Sequence, residues 1–358
     1  MPRSPGQRIG SRYEVRRLLG VSGGGEVYEC VDPHEGGYVV VKLLDLASLP
    51  PGNRWLEAEA LRQLSDEHIL PIRNAELDSG QPFIVTELAT HGTLETELQA
   101  RSGLGLDVDN VVSAVRDACS GLTRAHYARL IHNDIKPGNL FLNSQRECLV
   151  GDFGGACLIP ASSTSGIPHA TTPAIAAPEV AATWGTGTAS ATVQSDVYSL
   201  GASAYWCLAG ERAYVFPPQL DFGQRLAMVA SQAPPPLADR APHVPKSVVT
   251  AVERAMARDP ADRFPAAAAF AAALGHRPEV SRRWVQTNEH AGHLGCWRGH
   301  PAAGGSVYVT CLLAGSKPSE VVVESRHLAT GRRISAGCRT TSKSQAASAL
   351  RGAFRRLT

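Results

Sequence analysis

Residues 132–139 read HNDIKPGN, so a carboxylate, an ammonium and a side-chain amide, Asp134, Lys136 and Asn139, fall within six residues. Pro137 and Gly138 rule out regular helix there and make the stretch a turn. The stretch raises the question of why an acid, a cation and an amide are set in one turn. A second acid, Asp152, follows in DFG. Further upstream, GVSGGGEV (20–27) is either a flexible hairpin or a loop whose backbone N–H groups approach phosphates. Lys42 ends the apolar run VVVK, where a lysine is costly without an anionic partner. Glu57 supplies one in the stretch that follows, with Glu59 as the alternative.

These groups need elements to hold them. Residues 13–88 contain the β-type runs YEVRRLL, EVYECV, YVVVKLL and FIVTEL between Gly and Pro turns, with one helical stretch at 53–64. From about residue 104 the apolar period changes to that of helices. It runs through 109–130 and then VQSDVYSLGASAYWCLAG, FGQRLAMVAS, VPKSVVTAVERAMAR and FPAAAAFAAALG. Residues 161–178 carry hydroxyl and turn residues and read as a loop. Beyond a hinge at 276–283, the runs RRWVQT, SVYVTCLLA, EVVVESR and RRISAGC predict strands, and 344–357 a closing helix.

Taken in order, these motifs resemble those of the eukaryotic-type (Hanks-type) Ser/Thr protein kinases, also widespread in bacteria, over residues 13–274. The resemblance implies an α+β, bilobal protein kinase fold. A β-rich N-lobe (13–88) and a helical C-lobe (89–276) would follow a short extension (1–12), with a small basic α+β domain at 277–358. It implies ATP and Mg²⁺ as cofactors and a protein substrate with a Ser or Thr acceptor. Gly20, Ser22, Gly23, Gly25 and Val27 match the glycine-rich loop, Lys42 the strand lysine and Glu57 its helix partner, on its spacing before LxxLSDEHIL. Thr86 matches the gatekeeper and Glu87 to Ala89 the hinge that meets adenine; Val40 stands where an alanine usually faces the ring. Asp134 matches the catalytic aspartate, Lys136 its γ-phosphate partner, and Asn139 and Asp152 the metal ligands. Thr172 resembles the threonine that contacts that aspartate, Asp196 an anchor at a helix start, and Arg263 the partner of Glu179 in the APE motif.

Four departures stand out. Ser22 replaces the second loop glycine, and Gly24 the aromatic at the loop tip. Val40 narrows the adenine site by two methyls. Asn133 replaces an arginine that in most relatives receives the phosphate of the activation loop, which implies a kinase that does not depend on that phosphate. The hydroxyls of Ser162, Ser163, Thr164, Ser165, Thr171 and Thr172 remain available for autophosphorylation. The alternative reading of the whole chain is a pseudokinase scaffold that works through its C-terminal domain.

The net charge of +2 hides a split: residues 280–358 carry twelve Lys and Arg against three Asp and Glu, which leaves the rest at −7. The basic end implies an acidic protein partner, the kinase body included, or a nucleic acid stacked on Trp284, Trp297 and Tyr308. In HAGHLGCWRGH, the residues His290, His293, Cys296 and His300 offer ligand chemistry that Zn²⁺ accepts, although a polar hairpin with chance histidines has the same composition. The eight cysteines are scattered singly and read as reduced thiols. With no apolar leader and no run long enough to span a bilayer, the expectation is a soluble, cytoplasmic protein that engages no membrane.

Overall fold

The computed structural model describes the chain except residues 1, 23–24, 46–63, 65, 276–279, 289 and 358; of Ser22 it describes the backbone only. The helical stretch expected at 53–64 lies outside the described residues except for Leu64, and so do Glu57, Glu59 and Gly23.

The N-terminal part is a six-stranded antiparallel sheet. Its strands are β1 (Arg8–Ile9), β2 (Tyr13–Ser22), β3 (Gly25–Val31), β4 (Tyr38–Leu44), β5 (Ile72–Asp78) and β6 (Gln81–Glu87), in the order β1-β2-β3-β4-β6-β5. The sheet begins ahead of residue 13, because Ile9 pairs with Tyr13 and is buried. Alternation along β4 decides which side chains face the core. Val39, Val41 and Leu43 are buried with Ile9, Tyr13, Tyr28, Cys30, Phe83 and Val85, while Val40 and Lys42 point the other way. Residues directly opposite each other across a ladder share a face, so Val27 (opposite Lys42) and Thr86 (opposite Val40) join them. Thus four residues assigned from the sequence, Val27, Val40, Lys42 and Thr86, line one face of the sheet. β5 is the polar edge strand, and the sequence reading missed it.

The helical part comprises α1 (Leu94–Ala100), α2 (Val108–Tyr127), α3 (Pro178–Thr183), α4 (Val193–Ala209), α5 (Phe222–Ser231), α6 (Leu237–Arg240), α7 (Lys246–Ala255) and α8 (Ala267–Leu274). α2 buries Val111, Val115, Ala118, Leu122 and Ala125, the stripe its period predicts, and α4 runs buried through the centre. Thr192 and Ser195 close a capping box that fixes where α4 starts. Two short antiparallel pairs sit on this helical base. β7 (Leu130–Ile131) pairs with β10 (Cys157–Leu158), and β8 (Leu140–Leu142) with β9 (Cys148–Val150).

At the C-terminal end, β11 (Arg282–Thr287), β12 (Gly295–Pro301), β13 (Tyr308–Ala314), β14 (Glu320–His327) and β15 (Arg339–Ser342) form a second antiparallel sheet, in chain order. α9 (Ala346–Arg356) covers one face of it. RRISAGC is not a strand. Its SAG portion makes a single 3₁₀ turn, and pairing resumes at Arg339. Trp284 and Trp297 do not form a stacking platform. Alternation places both indoles on the face under α9, against Phe354, and both are buried. The Tyr308 ring is itself covered by the Arg282 guanidinium, 3.7 Å from its centroid.

The second sheet touches the helical part through charge. Arg283 pairs with Asp109, Arg351 donates to the Ala238 carbonyl (2.6 Å) and Asp239 (3.1 Å), and Arg101 donates to the Gln286 carbonyl (2.8 Å). A cleft of about 600 Å³ lies along this contact, lined by His243 among others. Burial, helped by the nearby Arg101 charge, lowers the His243 pKa to about 4. The ring therefore stays neutral in the folded protein while the unfolded chain protonates near pH 6.5. The neutral ring's contribution to stability is complete above pH 6.5 and fades as pH falls toward 4. The expected outcome is that the stability gap between wild type and His243→Gln changes across that window, by up to about 3 kcal/mol, in urea titrations at several pH values. Among the described residues no helix is long and apolar enough to cross a membrane.

Candidate active site

The turn 132–139 begins where β7 ends, and Asp152 follows β9, so the two short ladders bring both segments to the floor of the cleft under the sheet. The fully buried Asp196, in the first turn of α4, accepts the backbone N–H groups of His132 and Asn133, both at 2.9 Å, and meets His126 Nε2 at 2.8 Å. A carboxylate at a helix N-terminus is favoured by the aligned peptide dipoles, and here it also satisfies two buried donors. The Ile135 carbonyl accepts Ser203 Oγ from the same helix (2.7 Å). The turn is therefore bolted to a helix that is buried along almost its whole length.

Within the turn, Asp134 is held from three sides. Thr172 Oγ1 donates to Oδ1 (2.7 Å), Lys136 Nζ to Oδ2 (2.6 Å), and Asn139 Nδ2 to the Asp134 carbonyl (2.7 Å). The amide nitrogen of Asn139 is thus committed, which leaves Oδ1 as the atom for a hard cation. The Asn139 carbonyl accepts the Gly151 N–H (3.0 Å), and this ties the turn to the DFG segment. Asp152 has a left-handed backbone (φ 58°, ψ 65°), while Phe153 packs under it against the His132 ring. The Asp152 carboxylate pairs with Lys42 from the sheet above. Enclosure pushes its pKa up. The charge and hydrogen bond of Lys42, with Lys136 and His132 farther out, outweigh this and hold it at about 2, so it is ionised at any physiological pH.

The structure brings together Asp134, Lys136, Asn139, Asp152 and Lys42. Val27, Val40 and Thr86 lie on the cleft face of the sheet, Glu87 ends β6, and Ala89 follows it toward α1. Gly20 pairs with Val27 near the β2–β3 turn, and Ser22 pairs with Gly25. Gly25 is obligatory: at φ 128° a Cβ would lie 1.7 Å from the Leu43 carbonyl oxygen. Glu57 and Gly23 lie outside the described residues.

Asn133 is buried in the left-handed region (φ 65°), which asparagine tolerates better than most residues. Its Nδ2 donates to the Gly155 carbonyl (3.0 Å) and Cys157 Sγ (3.3 Å), joining the turn to the strand after DFG. Arg129 escaped the sequence reading. Its guanidinium donates to the carbonyls of Ile159, Pro160 and Ser163, at the start of the 161–178 loop. Only the fold shows that an ordinary surface arginine at a helix end lies against this loop. At the other end of the loop, Arg263 and Glu179 form a two-pronged ion pair (2.8 and 2.7 Å), with the guanidinium over the Tyr198 ring.

The protein kinase domain family matches residues 13–274. The serine/threonine-protein kinase PknK of Mycobacterium tuberculosis is 35% identical over 278 residues, which cover 75% of this chain and 24% of PknK. PknL of the same organism is 30% identical over 275 residues, covering 74% of this chain and 65% of PknL. The chain thus spans about a quarter of PknK and under two thirds of PknL. Among solved structures, a double mutant of the M. tuberculosis PknI kinase domain superposes with a TM-score of 0.60 at 27% identity, covering 76% of this chain and 98% of that one. With the motifs in order, the two-part fold around them and relatives at this level, the chain belongs to the protein kinase family, among its bacterial serine/threonine members.

Proposed function

We propose that the chain transfers the γ-phosphoryl group of Mg·ATP to serine or threonine hydroxyls of a protein substrate. The observation that carries this reading is the Asp134 carboxylate, aimed by Thr172 and Lys136 and set beside an ionised Asp152. The donor set fits the cofactor. Asp152 and the Oδ1 of Asn139 are hard oxygens suited to Mg²⁺, and the ion pair of Asp152 with the Lys42 ammonium supports a carboxylate that is ionised and faces the cleft. Bound Mg²⁺ would neutralise charge on the phosphates during transfer.

The protein's own groups do the rest. Lys42 holds the α- and β-phosphates, and its cleft neighbours Val27, Val40 and Thr86 enclose the base with the hinge at Glu87 and Ala89. Asp134 orients the acceptor hydroxyl and takes its proton. Lys136 steadies the negative charge that spreads over the moving phosphoryl. Transfer of labelled γ-phosphate from Mg·ATP to an added Ser/Thr peptide tests the reading; nucleotide binding without transfer would leave only a scaffold.

The active geometry of this kinase does not wait for a loop phosphate. A buried arginine at position 133 would need an anion to neutralise it. The neutral amide of Asn133 instead makes permanent hydrogen bonds to Gly155 and Cys157, and Arg129 holds the loop by its carbonyls. Alanine at Ser162, Ser163, Thr164, Ser165 and Thr171 together is expected to leave transfer to an added peptide unchanged. Thr172 is spared because it touches Asp134. Collapse of transfer with nucleotide binding intact would contradict this. The basic C-terminal part acts as a docking or regulatory element, supported by its arginines' contacts with Asp109 and Asp239 on the helical part.

A further inference from the structure

The face of the second sheet opposite α9 carries a cluster that the phosphotransfer site does not use. Cys296 on β12 and Cys311 on β13 are directly opposite across the ladder, both buried, with their sulfurs 3.0 Å apart, longer than a disulfide bond. The connection from β11 to β12 folds back over them. His293 Nδ1 lies 3.1 Å from Cys296 Sγ, and His290 Nδ1 lies 3.3 Å from Cys296 Sγ and 3.8 Å from Cys311 Sγ. All four ligand atoms fall within 4.8 Å of one another.

We propose that His290, His293, Cys296 and Cys311 bind one structural Zn²⁺ ion. Zn–S bonds of about 2.3 Å and Zn–N bonds of about 2.0 Å in a tetrahedron require ligand atoms about 3.3–3.8 Å apart. The observed separations bracket that range, so small adjustments seat an ion. Mixed thiolate and imidazole ligands select zinc over Mg²⁺ or Ca²⁺, which take oxygen. Binding releases the two thiol protons, and two thiolates with Zn²⁺ and two neutral imidazoles make a site of zero net charge, suited to burial. Four protein ligands leave no open position, so the ion is structural.

His300, the fourth ligand expected from the sequence, is not part of the cluster. It lies four residues past Cys296 on the same strand, about 13 Å along it, and is exposed. Cys311 takes its place because antiparallel register puts it beside Cys296. The nearby Glu324, opposite Cys311, is already paired with Arg326 (2.8 Å) and Arg333 (3.6 Å) and is not needed as a ligand.

The fold gives the ion a task. One face of the sheet is sealed by α9, whereas the other carries the small apolar group of Cys296, Val309, Cys311 and Leu313, with no helix over it among the described residues. A metal joining the β11–β12 connection to the two central strands closes that face without a second helix. The test is elemental analysis of the full-length chain, expressed in zinc-supplemented medium and purified with a thiol reductant and without chelator. The expected result is about one zinc per chain, lost in both Cys311→Ser and His293→Ala and kept in His300→Ala. Circular dichroism of His293→Ala, whose side chain is partly exposed, shows that its loss of zinc is not a loss of fold. Cobalt added to the apo chain is expected to give the visible absorption of tetrahedral thiolate coordination. A reduced wild type with neither zinc nor that cobalt spectrum would overturn the proposal, as would a Cys311→Ser chain with full zinc content.

Discussion

Asp134→Asn is expected to lower kcat by roughly 10²–10⁴ while leaving nucleotide affinity and thermal stability close to those of the wild type. The asparagine keeps the shape, and its Oδ1 still accepts the Thr172 hydroxyl. What it loses is the capacity to take a proton and the charge that Lys136 sits against. In the function proposed above the nucleotide is held elsewhere, by Lys42 and Asp152, which pair with each other across the cleft, so binding is expected to survive. Steady-state rates of peptide phosphorylation beside nucleotide titration check both halves. A variant that still transfers at the wild-type rate would remove Asp134 from the mechanism.

The second large effect concerns the fold that holds the 161–178 loop. Glu179→Ala is expected to lower unfolding stability by about 3 kcal/mol, at the lower end of what breaking a buried pair does. The Arg263 guanidinium is almost wholly buried, so it keeps its charge without a counter-ion once the carboxylate is gone. The effect stays at the lower end because the carbonyls of Ala257 (2.7 Å), Gln194 (3.0 Å) and Arg258 (3.0 Å) still accept from it. Urea unfolding midpoints at constant slope measure this. A loss under about 1 kcal/mol, as for an exposed pair, would show that the pair does not organise this region.

Residues that act near one another along the chain were legible before any coordinates. Asp134, Lys136 and Asn139 share one turn, and the alternation of EVYECV and YVVVKLL already separates Val27, Val40 and Lys42 from the core-facing residues. The resemblance to kinases added Thr172, Asp196 and the Arg263–Glu179 pair, all of which make the contacts it implies. Three kinds of feature were hidden. β12, reading GCWRGHP, has two glycines, a proline and an arginine and lacks a strand's composition. It is nevertheless an interior strand, because the Trp284 indole lies against Gly299, where a Cβ would meet the ring at 2.8 Å. β5 is polar because it sits at a sheet edge. Arg129 and Cys311 act through partners 30 and 15 residues away, respectively, and only the folded register reveals such pairings.

The stacking role expected of Trp284 and Trp297 failed for the same reason that β12 was missed. Both indoles belong to the core that α9 and the strands share. In a small module, large aromatics are the main apolar surface available for burial. A count of aromatics among arginines cannot tell a core from a binding platform. The charge asymmetry, by contrast, has a visible structural counterpart in the contacts of Arg283 and Arg351 with acids of the helical part.

The most direct test of the account is a single-turnover measurement with the purified full-length chain, Mg²⁺ and γ-labelled ATP, on a serine/threonine peptide mixture, with Asp134→Asn as the comparison. Label is expected on serine or threonine of the added peptide with wild type, appearing roughly 10²–10⁴-fold more slowly with the variant. ATP bound by the wild type, with no label transferred to peptide or to the chain itself, would contradict it.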